Sequence, residues 1–477
     1  MINDITENQS KELNKFIGEG NFWSALDFLK KLDKEKKILM IDWYLGHTYY
    51  RLHQYVKAAK HVEIFISKKK EDILNLNFLG EIYSEQGKYD KAMFIFEKAL
   101  LLDKKNKSTI LNLARLSLNL GDIKKSEIYY NSLLDIEPDN LSYHYSLLRI
   151  DKKYLSESLI KKIDLNSQKN SNNQIFSQLI LAKKNEIDKN FDLEVENLLN
   201  AHKLYLSGKQ KAYQQQYNYS TNLLPNFINT FKKINIGFEN SFYPIFIMGL
   251  PRSGTTLVER IIVSSENKIQ SLGEADVFDK VFYSNQIIKN QKNILSKNSN
   301  FLLDKILEQY KGQGLKNDNM IFTDKSISNF LYIDLIKKIF PNAKFIYCRR
   351  DPLANIIGIF KSFLPNVYWT HSIQDVFFMT QLYLNKLEKI YEERNKNFHL
   401  ISLEKLTNNP QDVSAELFKF LNLKWSNKNL ENMNSNFVIK TASNLQAREK
   451  IKKHDLQYTK IYSKIFKKLN FKNHWLI

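Results

Sequence analysis

Hydrophobic residues along this 477-residue chain follow two different rhythms. Over roughly the first 143 residues they recur every three to four positions, the spacing that lays an apolar stripe along one face of an α-helix. The pattern also repeats as a block. LGHTYYRLHQYVKAAKHVE begins at Leu45, LGEIYSEQGKYDKAMFIFE at Leu79 and LARLSLNLGDIKKSEIYYN at Leu113, a step of 34 residues each time. Gly46, Gly80 and Ala114 share one register, and His53, Gly87 and Gly121 a second. Tyr55, Tyr89 and Ile123 follow, then Ala58, Ala92 and Ser126. Asp103-Lys-Lys-Asn106 recurs as Glu137-Pro-Asp-Asn140, and EGNFWSALDFLKKL from Glu19 reads as an earlier copy one residue shorter. Small residues at fixed slots let two helices approach, and an aromatic fills the next gap. Each block therefore predicts a pair of antiparallel helices. A single pair cannot bury its apolar face, so the pairs stack and present an extended concave surface.

Between residues 144 and 235 the helical spacing persists while the repeat blurs, as in FSQLILAKKNEIDKNFDLEVENLLNAHKLYLSGK. NSQKNSNN, from Asn166 to Asn173, reads as a polar loop, and Pro225 and Gly237 punctuate the exit. From Tyr243 the rhythm changes. Short β-rich runs, YPIFIMG, NMIFTD, AKFIYCR and FHLISL, are each followed by a helical segment. That alternation predicts a parallel sheet covered by helices. The expected architecture is multidomain: an all-α repeat solenoid over 1–143, degenerate helical repeats and a linker over 144–239, and an α/β domain with a P-loop-like parallel sheet over 240–477.

Composition narrows the class. Hydrophobic residues make up 43% and charged residues 26%, which suits a soluble globular protein. The first residues, MINDITENQSKELNKF, hold no apolar core for a signal peptide, and no apolar run approaches the roughly 20 residues of a membrane span. The lone cysteine, Cys348, excludes an internal disulfide and a cysteine-built metal site. A cytoplasmic location is the expectation. Net charge is +20, but the lysines are scattered rather than gathered into an arm or patch, so no nucleic-acid partner is expected.

The chemistry concentrates in IFIMGLPRSGTT, residues 245–256. An apolar strand stops at a glycine, and a small-residue turn opens a helix. Backbone N–H groups of such a turn and the positive end of the helix bind anions. Gly249 and Gly254 let the backbone curl, Arg252 adds a forked cation, and Thr255 and Thr256 add hydroxyls. The glycine spacing matches a nucleotide-hydrolysing P-loop, but Thr255 stands where that loop carries lysine. That lysine and magnesium neutralise a γ-phosphate. A sulfuryl group carries less charge during transfer, so the loop points away from ATP hydrolysis and calls for no metal.

The loop PRSGTTL, together with SLGEADVF (271–278), TDKSISNF (323–330) and CRRDPLANIIGIF (348–360), resembles four ordered segments of the sulfotransferases that use 3′-phosphoadenosine-5′-phosphosulfate (PAPS). With the repeats in front, the whole chain resembles a tetratricopeptide-repeat sulfotransferase, its catalytic half being most similar to the protein-tyrosine sulfotransferase branch. The resemblance implies PAPS as donor and a protein or peptide acceptor held by the repeats. It implies that Arg252, Ser253, Gly254, Thr255 and Thr256 grip the 5′-phosphosulfate, with Arg252 also in the catalytic set. Glu274 would be the general base, its pKa moved toward neutrality by burial, with Asp276 close enough in sequence to be confused with it. Lys325 would stabilise charge on the leaving group, and Arg350 would hold the 3′-phosphate. VIKTASNLQAREK (438–450) resembles the closing segment, placing Thr441, Ser443 and Arg448 over the nucleotide.

This chain departs from the family in places. Ser326 and Ile327 replace a Met-Pro pair, and Glu449 and Tyr458 stand near a usual proline and tryptophan. Gly358 replaces the serine paired with Arg350, for which Ser362, one turn on, is a candidate substitute. Trp369 and His371 read as packing or surface residues, and Cys348 as a buried small apolar residue. Two other readings stay open: a repeat scaffold carrying an inactive nucleotide fold, and a P-loop kinase.

Overall fold

The computed structural model describes residues 5–36, 38–69, 71–166, 170–232, 242–265, 269–284, 300–316, 321–393, 396–432, 457–471 and 473–475. The chain forms two compact units whose membership follows packing rather than chain order. One contains Met1–Leu116 and Ala275–Asn319; the other contains Ser117–Asn235, Glu239–Glu274 and Met320–Ile477.

The first unit holds the helix pairs Glu7–Gly18 with Phe22–Lys36, Leu39–Arg51 with Tyr55–Lys68, and Ile73–Glu85 with Tyr89–Leu102. The repeat slots have physical causes. A β-carbon on Gly80 would lie 2.4 Å from the Phe96 ring, so only glycine lets those two helices meet. The turn between helices needs a left-handed residue, and His53, Gly87 and Gly121 have φ of 56°, 75° and 87°. The 34-residue step also fixes the N-caps. Asp72 accepts from the Asn75 amide at 2.8 Å and Asn106 from the Thr109 amide at 3.1 Å; Asn140, one step later, caps Leu141–Ile150. The helix Asn300–Gly312 joins this unit against Tyr55–Lys68, where Lys57 pairs with Glu308 at 2.8 Å.

The second unit is a five-stranded parallel sheet with helices. Its strands are β1 Tyr243–Met248, β2 Gln270–Ser271, β3 Ile321–Asp324, β4 Lys344–Arg349 and β5 Phe398–Ser402, in the order β2-β3-β1-β4-β5. Both faces of β1 and β4 are covered, so these strands read as unbroken apolar runs. Ile245, Ile247, Ile346 and Cys348 face a cluster with Val258, Ile261, Leu417 and Phe418. On the other face Phe246, Phe345 and Phe398 stack in a row. The two-residue β2 is too short to have a sequence rhythm of its own; it pairs with β3 at Phe322 and Thr323.

β1 is the centre of the winding. The chain runs from β1 out to β2 and back to β3 on one side, then crosses to β4 and β5 on the other. Such a reversal leaves a crevice beyond the carboxyl ends of the central strands. Tyr383, on the helix Ile373–Glu392, braces that edge. Its buried hydroxyl lies 3.1 Å from the carbonyls of both Met248, the last residue of β1, and Cys348, the residue before the end of β4. Tyr383→Phe leaves both carbonyls without this donor and is expected to lower unfolding free energy by about 1–2 kcal/mol. Urea denaturation with an unchanged m-value checks it; an unchanged midpoint would contradict the bracing role.

Candidate functional site

β1 ends at Met248, and the chain turns through residues 249–254 into the helix Thr255–Val263. Arg252 and Gly254 take left-handed φ of 71° and 95°. A β-carbon on Gly249 would lie 2.3 Å from the Ser253 hydroxyl, so the turn closes only around glycine. Asn355 holds the turn from outside, its side-chain amide donating to the Pro251 carbonyl at 2.8 Å. Ser253 is buried and turned inward: its amide and its hydroxyl both reach the Leu250 carbonyl, at 3.1 and 2.8 Å. The helix start has no side-chain cap at Gly254. The first N–H groups of a helix lack intrahelical partners, so residues 254–256 present donors beyond β1.

The end of β3 carries a charged group. Lys325 follows Asp324 and is 3% exposed. Asp324 holds the turn, since its Oδ1 accepts from the Ser326 amide at 2.9 Å, the Ser326 hydroxyl at 2.5 Å and the Asn329 amide group at 2.9 Å. Ser326 thus helps fix the turn without the family's Met-Pro. The β2–β3 pairing continues past its strands, with the Lys325 amide donating to Gly273 at 2.9 Å, and this brings Glu274 alongside. Lys325 Nζ lies 3.1 Å from Glu274, which is 39% exposed, and 3.9 Å from Glu259, which is 1% exposed. Glu259 sits on the helix that the anion loop opens and accepts hydroxyl bonds from Thr323 at 2.8 Å and Ser271 at 2.9 Å. Burial raises its pKa, against the pull of Lys325 and these hydroxyls. The sequence gives one signal for Glu259, an acid within the largely apolar stretch Leu257–Val263, and nothing there ties it to Lys325.

Beyond β4, Arg350 donates from Nη1 to the Arg252 carbonyl at 2.9 Å and from Nη2 to the Tyr458 hydroxyl at 3.0 Å. Burial first, then the neighbouring Arg350 and Arg149, lower the Arg252 pKa to about 10. The fold therefore brings Arg252 and Arg350 together at the carboxyl ends of β1 and β4, and Glu274 and Lys325 together at the end of β3. The Ser362 hydroxyl donates to the Gly358 carbonyl of its own helix at 2.6 Å. Thr441, Ser443 and Arg448 lie outside the described residues. Trp369 and His371 are buried, and His371 Nδ1 meets His202 Nδ1 at 2.8 Å. Cys348 is 1% exposed in the sheet core, and burial pushes its thiol pKa up. Among the described residues no group of three or more His, Cys, Asp or Glu could hold a metal ion, and no helix is long and apolar enough to cross a membrane.

Residues 244–427 match the sulfotransferase family model, and residues 83–149 match a tetratricopeptide repeat model. The chain carries a sulfotransferase-family domain preceded by tetratricopeptide repeats. A protein of Aquifex aeolicus strain VF5, itself uncharacterized, is 27% identical over 242 residues, covering 46% of this chain and 31% of that protein. The match thus spans about a third of that relative. Among solved structures, the sulfotransferase domain of the Synechococcus PCC 7002 olefin synthase aligns over 50% of this chain and 98% of its own, at 15% identity and a TM-score of 0.29. A sulfotransferase of Mycobacterium tuberculosis H37Rv aligns over 58% of this chain and 91% of its own, at 12% identity and a TM-score of 0.31.

In this sulfotransferase domain Glu259 supplies the buried countercharge to Lys325. Glu274 still faces Lys325 when Glu259 is removed, but the Thr323 and Ser271 hydroxyls lose their buried acceptor. Glu259→Ala is expected to destabilise the domain by about 2–3 kcal/mol, and Glu259→Gln, which keeps an acceptor for those hydroxyls, by less. Urea denaturation of both variants checks the order; a loss under about 1 kcal/mol for the alanine variant would show the pair to be dispensable.

Proposed function

We propose that this sulfotransferase takes its sulfuryl group from PAPS and passes it to an acceptor hydroxyl by in-line displacement. The supporting observation is the Lys325–Glu274 pair, 3.1 Å apart beside β3 in the sheet whose central strand ends in the anion loop. The amides of residues 254–256 and the Arg252 guanidinium receive the 5′-phosphosulfate, and Arg350 receives the 3′-phosphate. The acceptor oxygen attacks sulfur, its proton passes to Glu274, and the sulfur–oxygen bond to the nucleotide breaks. Lys325 stabilises the charge left on that nucleotide oxygen. Glu274 is the more exposed of the two carboxylates beside Lys325, which suits it to meet an incoming hydroxyl.

The acceptor is a protein or peptide hydroxyl, tyrosine first, held by the repeats. Stacked helix pairs suit an extended chain. Gly358 favours a second reading, a repeat scaffold with an inactive nucleotide fold, because a glycine there brings no hydroxyl to Arg350. Transfer of label from radiolabelled PAPS to tyrosine peptides separates the two. Glu274→Gln is expected to lower kcat by about 10²- to 10⁴-fold while nucleotide affinity stays within about twofold. Wild-type turnover in that variant would remove Glu274 from the base role, and an inert wild-type protein would favour the scaffold.

A further inference from the structure

Gly358 is closely approached by both arginines of the site. On the helix Pro352–Lys361, a β-carbon at 358 would lie 2.9 Å from Arg350 Nη1 and 3.3 Å from Arg252 Cβ. The hydroxyl beside the guanidinium comes instead from Tyr458, which accepts from Arg350 Nη2 at 3.0 Å.

Tyr458 is held there by a network of its own. It lies on the helix Gln457–Lys468, one turn before Tyr462. The buried Tyr462 hydroxyl donates to Glu194 at 2.6 Å and accepts from Lys361 at 3.0 Å. Lys361 also pairs with Glu194 at 2.8 Å and Glu186 at 2.7 Å. These contacts fix the C-terminal helix against the helix that carries Gly358. Guanidiniums crowded in a partly buried site repel one another, and a multiply charged anion relieves that repulsion.

We propose that Tyr458 is a ligand of the donor's 3′-phosphate, supplying from the C-terminal helix the hydroxyl that position 358 lacks. The assignment rests on PAPS being the donor. It gives the C-terminal helix a part in nucleotide selection and explains how a chain with Gly358 keeps a site for a doubly phosphorylated nucleotide.

Calorimetry on the full chain with adenosine 3′,5′-bisphosphate and adenosine 5′-monophosphate tests it. The wild type is expected to prefer the bisphosphate. Tyr458→Phe keeps the ring and is expected to cost about tenfold in bisphosphate affinity, the worth of one hydrogen bond to a charged group, with monophosphate affinity unchanged. Gly358→Ser in the Tyr458→Phe background is expected to recover part of the loss, which a packing role for the ring would not allow. A Tyr458→Phe protein that keeps the full bisphosphate preference overturns the assignment and leaves PAPS as donor standing. A double variant that recovers nothing also overturns it. A wild type that binds neither nucleotide, or binds both equally, removes the donor reading and this inference with it.

Discussion

The site depends on one backbone constraint: β1 must end, and a helix must begin, within six residues, 249–254, so that the start of that helix lies beyond the carboxyl end of the central strand. Residues in the left-handed region are costly, yet the turn uses two of them, and one is an arginine at φ 71°. The neighbours hold it in place. Asn355 ties the Pro251 carbonyl, Ser253 ties Leu250, and Arg350 ties the Arg252 carbonyl. Three polar side chains thus satisfy the carbonyls of Leu250, Pro251 and Arg252.

The sheet supplies the second half of the account. Because the winding reverses at β1, the ends of β3 and β4 flank the loop rather than lying at the edges. Lys325 follows β3 and Arg350 follows β4, so each cation is fixed by a strand rather than by a mobile loop. The two cations have different surroundings. Lys325 sits among carboxylates and hydroxyls, with Glu259 fully buried behind it. Arg350 sits among other guanidiniums and a phenol. The first environment suits a group that responds to charge as it develops; the second suits one that binds a standing dianion.

Much of this was legible in the residues. The 34-residue step exposed the helix pairs because the same small residue, turn residue and cap are needed in every copy, and His53 could be placed in a glycine slot by register alone. β1, β3 and β4 were legible as apolar runs because they are buried on both faces, and β5 as a shorter, partly buried run. β2 was not, since two residues carry no period. Pro225 reads as a stop in the sequence, yet the chain stays helical across it, with the π turn Tyr219–Leu223 running straight into the helix Leu224–Lys232. The site was legible where one short segment holds the chemistry, as in the loop and Lys325. It was not legible where partners are far apart in sequence. Nothing local in the sequence ties Tyr458 to Arg350, 108 residues earlier, or Glu259 to Lys325, because those contacts arise only when the sheet and the C-terminal helix are assembled.

The most direct test of the central claim is a crystal structure of the chain with adenosine 3′,5′-bisphosphate. The account predicts the 5′-phosphate within hydrogen-bond distance of the amides of residues 254–256 and of the Arg252 guanidinium. A nucleotide bound elsewhere, or a turn at 249–256 closed by the protein's own side chains with no phosphate against it, would contradict it.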